Sequence, residues 1–488
     1  MAEDLKQKTV KGVSWSFVEQ VLTRGINFII GIILARLLSP TDYGLVGMLA
    51  IFLAISQLFI DGGLASALIR QKNPSDRDFS TVYIVNMTLS VLFYFLLFFT
   101  APLIASFYNQ PLLKPILRVL SLTLVIGSAA SIHGVLLTIR VDFKTKSLIS
   151  FLAAVLSGSV GIFFALKGFG PWALVAQSIT SAVVVTLLTL ALVHWMPRLV
   201  FSKESFRNLF SYSSKVLATS LIGTIYYNAY PMVIGKKFTA GDVGLFSRAG
   251  QFPNVVNDTF NSAFNRVSYP ILSRVQDDDQ RLIEVFEKYI KIFCFVTFPF
   301  LMGLCGCSRP LVSLLLTDKW LDCVPLMQLL CFSLLPNGVI LFNLNILQVK
   351  GRSDIMLRVE IIKKIIMFSI MFLSMFFGLK AMCCSIILNS CIDFCFCAHY
   401  TNKVLDYPLA RQLKAMLPYL LLSFIVLAES FFICRLIQNN WLSLILSLVV
   451  CSVSYILLSK VFHLYAYQEA KEMIAQMVLK KNNARNVL

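Results

Sequence analysis

Charge is scarce in this chain: Asp, Glu, Lys and Arg supply 14% of its 488 residues, while hydrophobic types supply 57%. A soluble domain carries about 25% charged residues, so this one cannot cover its apolar surface with polar side chains in water. Paired C-x-x-C spacing is also missing. Cys305 and Cys307, Cys383 and Cys384, and Cys395 and Cys397 lack the spacing of a zinc or redox motif. Cys294, Cys331, Cys391 and Cys451 lie inside apolar runs, where a thiol acts as a small apolar filler. Neither a metal site nor a disulfide framework is expected. His133 and His399 have no neighbours at metal-ligand spacing and read as structural. No G-x-x-x-x-G-K phosphate loop and no nucleophile elbow occurs, so neither an ATPase, a catalytic residue nor a cofactor is expected. The apolar stretch behind the mixed-charge N-terminus carries Glu19 and Arg24, which argues against a cleavable signal peptide.

What the chain has in abundance is apolar runs of about 20 residues, each long enough to cross a hydrocarbon core of about 30 Å. They predict an all-α, polytopic membrane protein with about fourteen spans. Six fall near 14 to 37, 44 to 66, 80 to 106, 116 to 138, 147 to 166 and 172 to 195. Eight more fall near 213 to 235, 244 to 265, 287 to 307, 325 to 348, 358 to 378, 380 to 400, 415 to 435 and 441 to 461. With Arg24 set apart inside the first span, the remaining Lys and Arg split about 31 to 11 between alternate loops. The richer side holds the N-terminus, Arg140 to Lys146, Arg198 to Lys215, Lys350 to Lys364 and the C-terminal tail, so both termini are expected in the cytoplasm. That sidedness accounts for most of the net charge of +18 and removes the need for a nucleic-acid partner. The tail from Tyr465 to Lys481 reads as an amphipathic helix lying on membrane lipids at the inner leaflet.

An internal repeat organises the spans. The stretch Ala35-Arg36-Leu37-Leu38-Ser39-Pro40-Thr41-Asp42-Tyr43-Gly44-Leu45 aligns without gaps on Gly235-Lys236-Lys237-Phe238-Thr239-Ala240-Gly241-Asp242-Val243-Gly244-Leu245. Each copy ends one span, then offers Ser39 or Thr239 as N-cap with Asp42 or Asp242 three residues on, a capping box. Six spans separate the copies, which implies a parallel duplication of two six-helix lobes, 1–205 and 206–405. Two additional spans in 406–465 and a cytoplasmic tail, 466–488, complete the division.

Polar stripes mark the helices that cannot face lipid on all sides. In the first span Ser16, Gln20, Arg24, Asn27 and Gly31 share one face. Arg24 near mid-membrane would cost about 2.5–3.5 kcal/mol, so it faces either a wet cavity, where its guanidinium suits phosphate oxygens, or a buried acidic partner. The eighth span carries Gln251, Asn254, Asp258, Asn261 and Asn265, with Asn257 alongside; by the repeat it occupies the place of the second span, which bears Gln57 and Asp61. These amides either contact sugar hydroxyls or a coupling cation, or bind helices together. Asp258, a lone intramembrane carboxylate, is the coupling-ion candidate. Asp61 reads as a gate or helix-end contact, and Asp42 and Asp242 as caps. Thr224, Tyr226, Tyr227, Asn228 and Tyr230 form an aromatic and polar cluster suited to sugar rings or to a membrane interface. Asn337, Asn345, Gln348, Asn389 and Asp393 read as helix-packing contacts.

Ala35-Arg36-Leu37-Leu38-Ser39-Pro40-Thr41-Asp42-Tyr43-Gly44 resembles the A-R-x-L-x-P-x-D-Y-G signature of Wzx-type polysaccharide flippases of the multidrug/oligosaccharidyl-lipid/polysaccharide exporter superfamily, close to its colanic-acid-exporter-like branch. Further matches are Asp61-Gly62-Gly63, Asp242-Val243-Gly244 with Ser247-Arg248-Ala249, Asp318-Lys319-Trp320 and Gly351-Arg352-Ser353-Asp354. The resemblance implies two lobes around a central cavity and export of an undecaprenyl-diphosphate-linked oligosaccharide across the bacterial cytoplasmic membrane, for surface polysaccharide synthesis. It also brings a polysaccharide polymerase and chain-length machinery into view as partners. It implies cationic cavity residues, a role Arg24 fits. The substrate-contact set is then Arg24, Gln20, Asn27, Gln57, Tyr227, Asn254, Asn257 and Asn261. Two other readings stay open: a cation-coupled multidrug exporter, which would call for more intramembrane carboxylates, and a membrane polymerase or ligase, which would call for a catalytic cluster in the outer loops.

Overall fold

The computed structural model describes residues 23–71, 74–198, 200–469 and 471–472, apart from the side chains of 353–358. The described residues form helices and no strand. α1 is helical over 23–37. It is followed by α2 (Pro40–Asp61), α3 (Leu64–Arg70), α4 (Asp76–Tyr108), α5 (Leu113–Leu120), α6 (Leu122–Ile139), α7 (Phe143–Leu166), α8 (Trp172–Leu192) and α9 (Lys203–Lys237). Next come α10 (Ala240–Arg274), α11 (Asp279–Gly306), α12 (Ser308–Leu316), a 3-10 turn (Asp318–Cys323), α13 (Val324–Leu334) and α14 (Asn337–Val349). α15 (Ser353–Ser374), α16 (Leu379–Leu405), α17 (Leu409–Leu436) and α18 (Asn440–Val461) complete the series. The chain forms two compact units, Met1–Gly244 and Leu245–Leu488.

In the first unit α2 lies along α9, α4 packs on α6, and α7 pairs with α8. Its cores are Leu64, Leu68, Phe79, Ile132 and Leu136, and a second cluster of Ile30, Leu34 and Leu38 against Ala173 and Leu174. Both copies of the repeat close their capping boxes. Asp42 Oδ2 accepts from Ser39 N (2.8 Å) and Oγ (2.7 Å), while Asp42 N donates to Ser39 Oγ (3.2 Å). Thr239 and Asp242 repeat the pattern at 3.0, 2.7 and 3.2 Å. The copies also touch: a Cβ on Gly44 would lie 1.6 Å from the Ala240 carbonyl oxygen, and one on Gly244 1.9 Å from that of Pro40. Contacts that exchange partners at one constant offset are what a two-fold relation between the copies produces. The glycine in each copy is required by this backbone contact.

In the second unit α11 lies along α17, α17 along α18, and α13 and α14 against α16. Phe286, Phe293, Phe298, Phe342, Tyr407 and Tyr419 fill its core. Small polar residues knit the interior. Ser90 and Ser128 hydroxyls meet at 2.8 Å in the first unit, and Asn343 and Gln412 exchange hydrogen bonds of 2.9 and 3.1 Å in the second. Interhelical hydrogen bonds of this kind hold helices together where lipid removes the hydrophobic driving force between them. The outer surface is apolar, with Phe99 70%, Leu103 70% and Leu448 72% exposed, which suits hydrocarbon and not water.

Among the described residues, ten helical segments are long and apolar enough to cross a membrane, and they coincide with ten of the fourteen expected spans. The expected spans 213–235, 244–265 and 358–378 fall on α9, α10 and α15, and 14–37 on α1 from residue 23 onward. α9, α10 and α15 do not reach that apolarity because they carry the polar stripes and, in α15, paired charges, whereas only residues 23–37 of α1 are described. Counting apolar windows alone therefore yields ten, not fourteen.

One charge assignment is corrected. Lys363, counted from sequence with the basic cytoplasmic segment, lies ten residues into α15 and is only 2% exposed. Its ammonium donates to Asp393 of α16 at 2.9 Å and pairs with Glu360, so two carboxylates offset its desolvation. Asp393 is thus part of a buried ion pair and not merely a packing contact. The tail is corrected in part too: Leu464 and Ala466 are buried in the second unit's core, and Lys288 of α11 pairs with Glu469. Residues after 472 lie outside the described residues.

Candidate functional site

The first unit contains a groove of about 570 Å³ between α2 and α9. Its lining alternates at helical spacing on both sides: Ala54, Gln57, Leu58 and Asp61 on α2, and Ser220, Gly223, Thr224, Tyr227 and Asn228 on α9. Gln57 Nε2 donates to Asp61 Oδ1 at 3.0 Å, and Asn228 Nδ2 to the Thr224 carbonyl at 2.9 Å. Tyr227 presents its ring at 74% exposure. The groove ends at Asp61-Gly62-Gly63, where Gly62 (φ 51°) and Gly63 (φ 72°) adopt the left-handed conformation that turns α2 into α3. A Cβ on Gly63 would sit 3.0 Å from the Ser213 carbonyl oxygen, so this glycine lets the corner press on α9.

Further along α9 a second cleft, of about 500 Å³, is lined by Arg70, Gln71, Asp78, Glu204, Asn208 and Tyr212. The Arg70 guanidinium lies 4.7 Å from the centre of the Tyr212 ring. Sequence reading missed this cleft because Glu204, Asn208 and Tyr212 of α9 meet Arg70, Gln71 and Asp78 only when α3 and the start of α4 fold against α9. The signal that was present is Ser75 with Asp78, a third capping box, in which Asp78 Oδ2 accepts from Ser75 N at 2.9 Å.

On the second unit's α10 the expected stripe forms a hydrogen-bonded ladder. Asn261 Nδ2 donates to Asn257 Oδ1 (3.0 Å), Asn257 Nδ2 to Asp258 Oδ1 (3.3 Å), and Asn345 of α14 to Asn265 Oδ1 (2.8 Å). Asn257 is buried and Asp258 exposed, while Gln251 accepts from Arg248. Asn254 stays half-buried, its amide 3.3 Å from where a Gly250 Cβ would be. An amide ladder holding one carboxylate at its solvent side can offer both donors and acceptors to a polyhydroxylated ligand.

The structure thus brings Gln57, Asp61 and Tyr227 to one groove and Asn257, Asp258 and Asn261 to one ladder. Asp42 and Asp242 close caps. Arg24 and Asn27 are exposed on α1, and Gln20 lies outside the described residues. His133 is buried, its Nε2 3.0 Å from the Trp195 carbonyl oxygen, a structural contact. Among the described residues no cluster of His, Cys, Asp and Glu could hold a metal ion.

Long apolar helices that carry open polar grooves define a polytopic α-helical membrane protein. The chain belongs to the polysaccharide biosynthesis protein family, whose model matches residues 33–325. It is 27% identical to the lipopolysaccharide biosynthesis protein WzxC of Escherichia coli (strain K12), over 74% of this chain and 73% of that relative. It is 26% identical to the succinoglycan biosynthesis transport protein ExoT of Rhizobium meliloti (strain 1021), over 68% of each chain. Among solved structures, the lipid II flippase MurJ in an inward closed conformation superposes with TM-score 0.74 at 15% identity, over 92% of this chain and 98% of that one. At that identity the likeness is one of fold.

Proposed function

We propose that this protein is a flippase that moves an undecaprenyl-diphosphate-linked oligosaccharide repeat unit across the bacterial cytoplasmic membrane by alternating access. The observation that carries the reading is the polar groove of Gln57, Asp61, Thr224, Tyr227 and Asn228 between α2 and α9 of an otherwise apolar bundle, in a family whose named relatives make or transport polysaccharides. The polyprenyl tail stays in lipid, where each CH₂ contributes about 0.8 kcal/mol, so only the head group needs a polar route. Tyr227 stacks on sugar, Gln57 and the α10 amides Asn254, Asn257 and Asn261 contact hydroxyls, and Arg24, with Gln20 and Asn27 on its helix face, meets the diphosphate. Asp258 is the coupling-ion residue. The lobes are 1–205 and 206–405, with two further helices in 406–465, and both termini lie in the cytoplasm. The released repeat unit passes to a polysaccharide polymerase and its chain-length machinery.

The test is reconstitution in liposomes with labelled undecaprenyl-diphosphate oligosaccharide, following the sugar's exposure on the opposite leaflet. Time-dependent exposure by wild type supports the reading. Folded wild-type protein that flips none of several such glycans sinks it.

A further inference from the structure

We propose that Cys307 and Cys434 form a reversible disulfide on the extracytoplasmic face, made by thiol–disulfide exchange with an oxidant disulfide of that compartment. Cys307 follows the last residue of α11, and Cys434 lies in the last turn of α17. The two residues are 127 apart in the chain, yet their sulfurs lie 3.8 Å from each other. Closing to a bond of about 2.05 Å needs a further approach of about 1.8 Å, within reach of side-chain rotation.

Helix packing, not a loop, holds this geometry. A Cβ on Gly306 would fall 1.8 Å from Ser430 Oγ, so α11 presses its backbone onto α17 one turn before Cys434. Both sulfurs are half-buried, unlike those of Cys305 and Cys331, which are sealed in the core at 3% and 0% exposure. Cys434 also lines a polar cleft of about 840 Å³ with Arg309, Gln328, Arg435 and Asn440. A reagent can therefore reach this thiol.

The chemistry balances without a bound group. The Cys434 thiolate attacks the oxidant disulfide, forming a mixed disulfide and releasing one oxidant thiolate, which takes up a proton. Cys307, losing its proton to water, attacks Cys434 Sγ, forming the internal bond and expelling the second oxidant thiol. Two electrons and two protons pass in total to the oxidant. The bond ties α17 to α11 at this end, and Ser447 of α18, 3.5 Å from Cys434 Sγ, is carried with it. In the oxidised form α17 is tied covalently to α11; in the reduced form packing and non-covalent bonds such as the Arg411–Glu287 ion pair hold the two helices together.

This inference rests on the proposed orientation, which places these helix ends outside the cytoplasm, where disulfides persist. The test uses full-length protein in intact cells, acid-quenched and alkylated, then digested without reductant for mass spectrometry. The expected result is a linked peptide pair containing Cys307 and Cys434 in most wild-type molecules, absent from Cys307→Ser and Cys434→Ser. A membrane-impermeant maleimide should label both residues only after reduction. Labelling of both by that reagent before reduction, with no linked pair, overturns the disulfide while leaving the orientation standing. If both are labelled only after the membrane is permeabilised, with no linked pair, the orientation fails and the inference with it.

Discussion

Replacing Lys363 by methionine would take from Asp393 and Glu360 the ammonium that bridges them, at a site where that ammonium is only 2% exposed. Removing one partner of a buried ion pair destabilises by about 3–5 kcal/mol, whereas an apolar replacement of both is often neutral. Lys363→Met should therefore lower the unfolding midpoint in detergent sharply, and Lys363→Met with Asp393→Leu should regain much of it. A double variant no better than the single one would show that the pair is not the source of the loss. Arg24 belongs to a different case, since it is exposed on α1 and its proposed partner is the substrate. Arg24→Ala should cut flipping at least about tenfold, the equivalent of one charge-assisted hydrogen bond, while leaving abundance and melting unchanged. Normal flux through that variant would remove the anion role. These two residues also show what sequence can and cannot reveal. Arg24 was visible because it interrupts an apolar run and stands at helical spacing in the sequence from Gln20 and Asn27. Lys363 was hidden because its partner Asp393 is 30 residues away on another helix, and its place beside a basic segment made it look like part of a loop.

At the scale of elements, periodicity and capping chemistry were legible because both are local. Ten apolar runs became ten helical segments long and apolar enough to span a membrane, and the Ser39–Asp42 and Thr239–Asp242 boxes formed at the ends that the repeat marks. What the repeat could not disclose was that its copies touch through Gly44 and Gly244, because a contact across the offset leaves no periodic trace. Gly44→Val would place branched carbon where only 1.6 Å separates a Cβ from the Ala240 carbonyl oxygen. That clash is with backbone, which cannot rotate away, so the α2 and α10 starts must separate. The expected outcome is a large loss of folded protein by fluorescence-detected size exclusion, with Asp242→Ala, a cap loss of about 1 kcal/mol, much milder. Equal yields from both variants would deny that the glycine contact organises the helices. The groove on α9 was half legible: Tyr227, Asn228 and Thr224 stood out by type, but pairing with α2 depends on Gly62 and Gly63, whose left-handed conformations make the corner. Tyr227→Ala should lower transport more than Tyr226→Ala, since only Tyr227 lines the groove.

For the molecule as a whole, residues 464–469 matter because they are docked on protein at the start of a tail that sequence reading laid on lipid. Amphipathicity alone does not distinguish a core from a membrane surface, since each accepts an apolar face. Ala466 is 1% exposed, its amide donates to the Tyr419 hydroxyl at 3.4 Å, and Glu469 pairs with Lys288. The hydrogen bond from Lys288 holds the Glu469 carboxyl below its ordinary range. A carboxylate whose pKa falls on docking stabilises the docked state above its free value, and that contribution is lost as pH drops through the lowered one. Acidification should thus loosen 464–469 from α11 and α17, seen as faster amide exchange after correction for the intrinsic rate. Glu469→Gln should show the loosened exchange already at neutral pH and little further change on acidification. Exchange in the wild type that is flat across the carboxylate range would mean that apolar burial of Leu464 and Ala466 alone holds the segment in place.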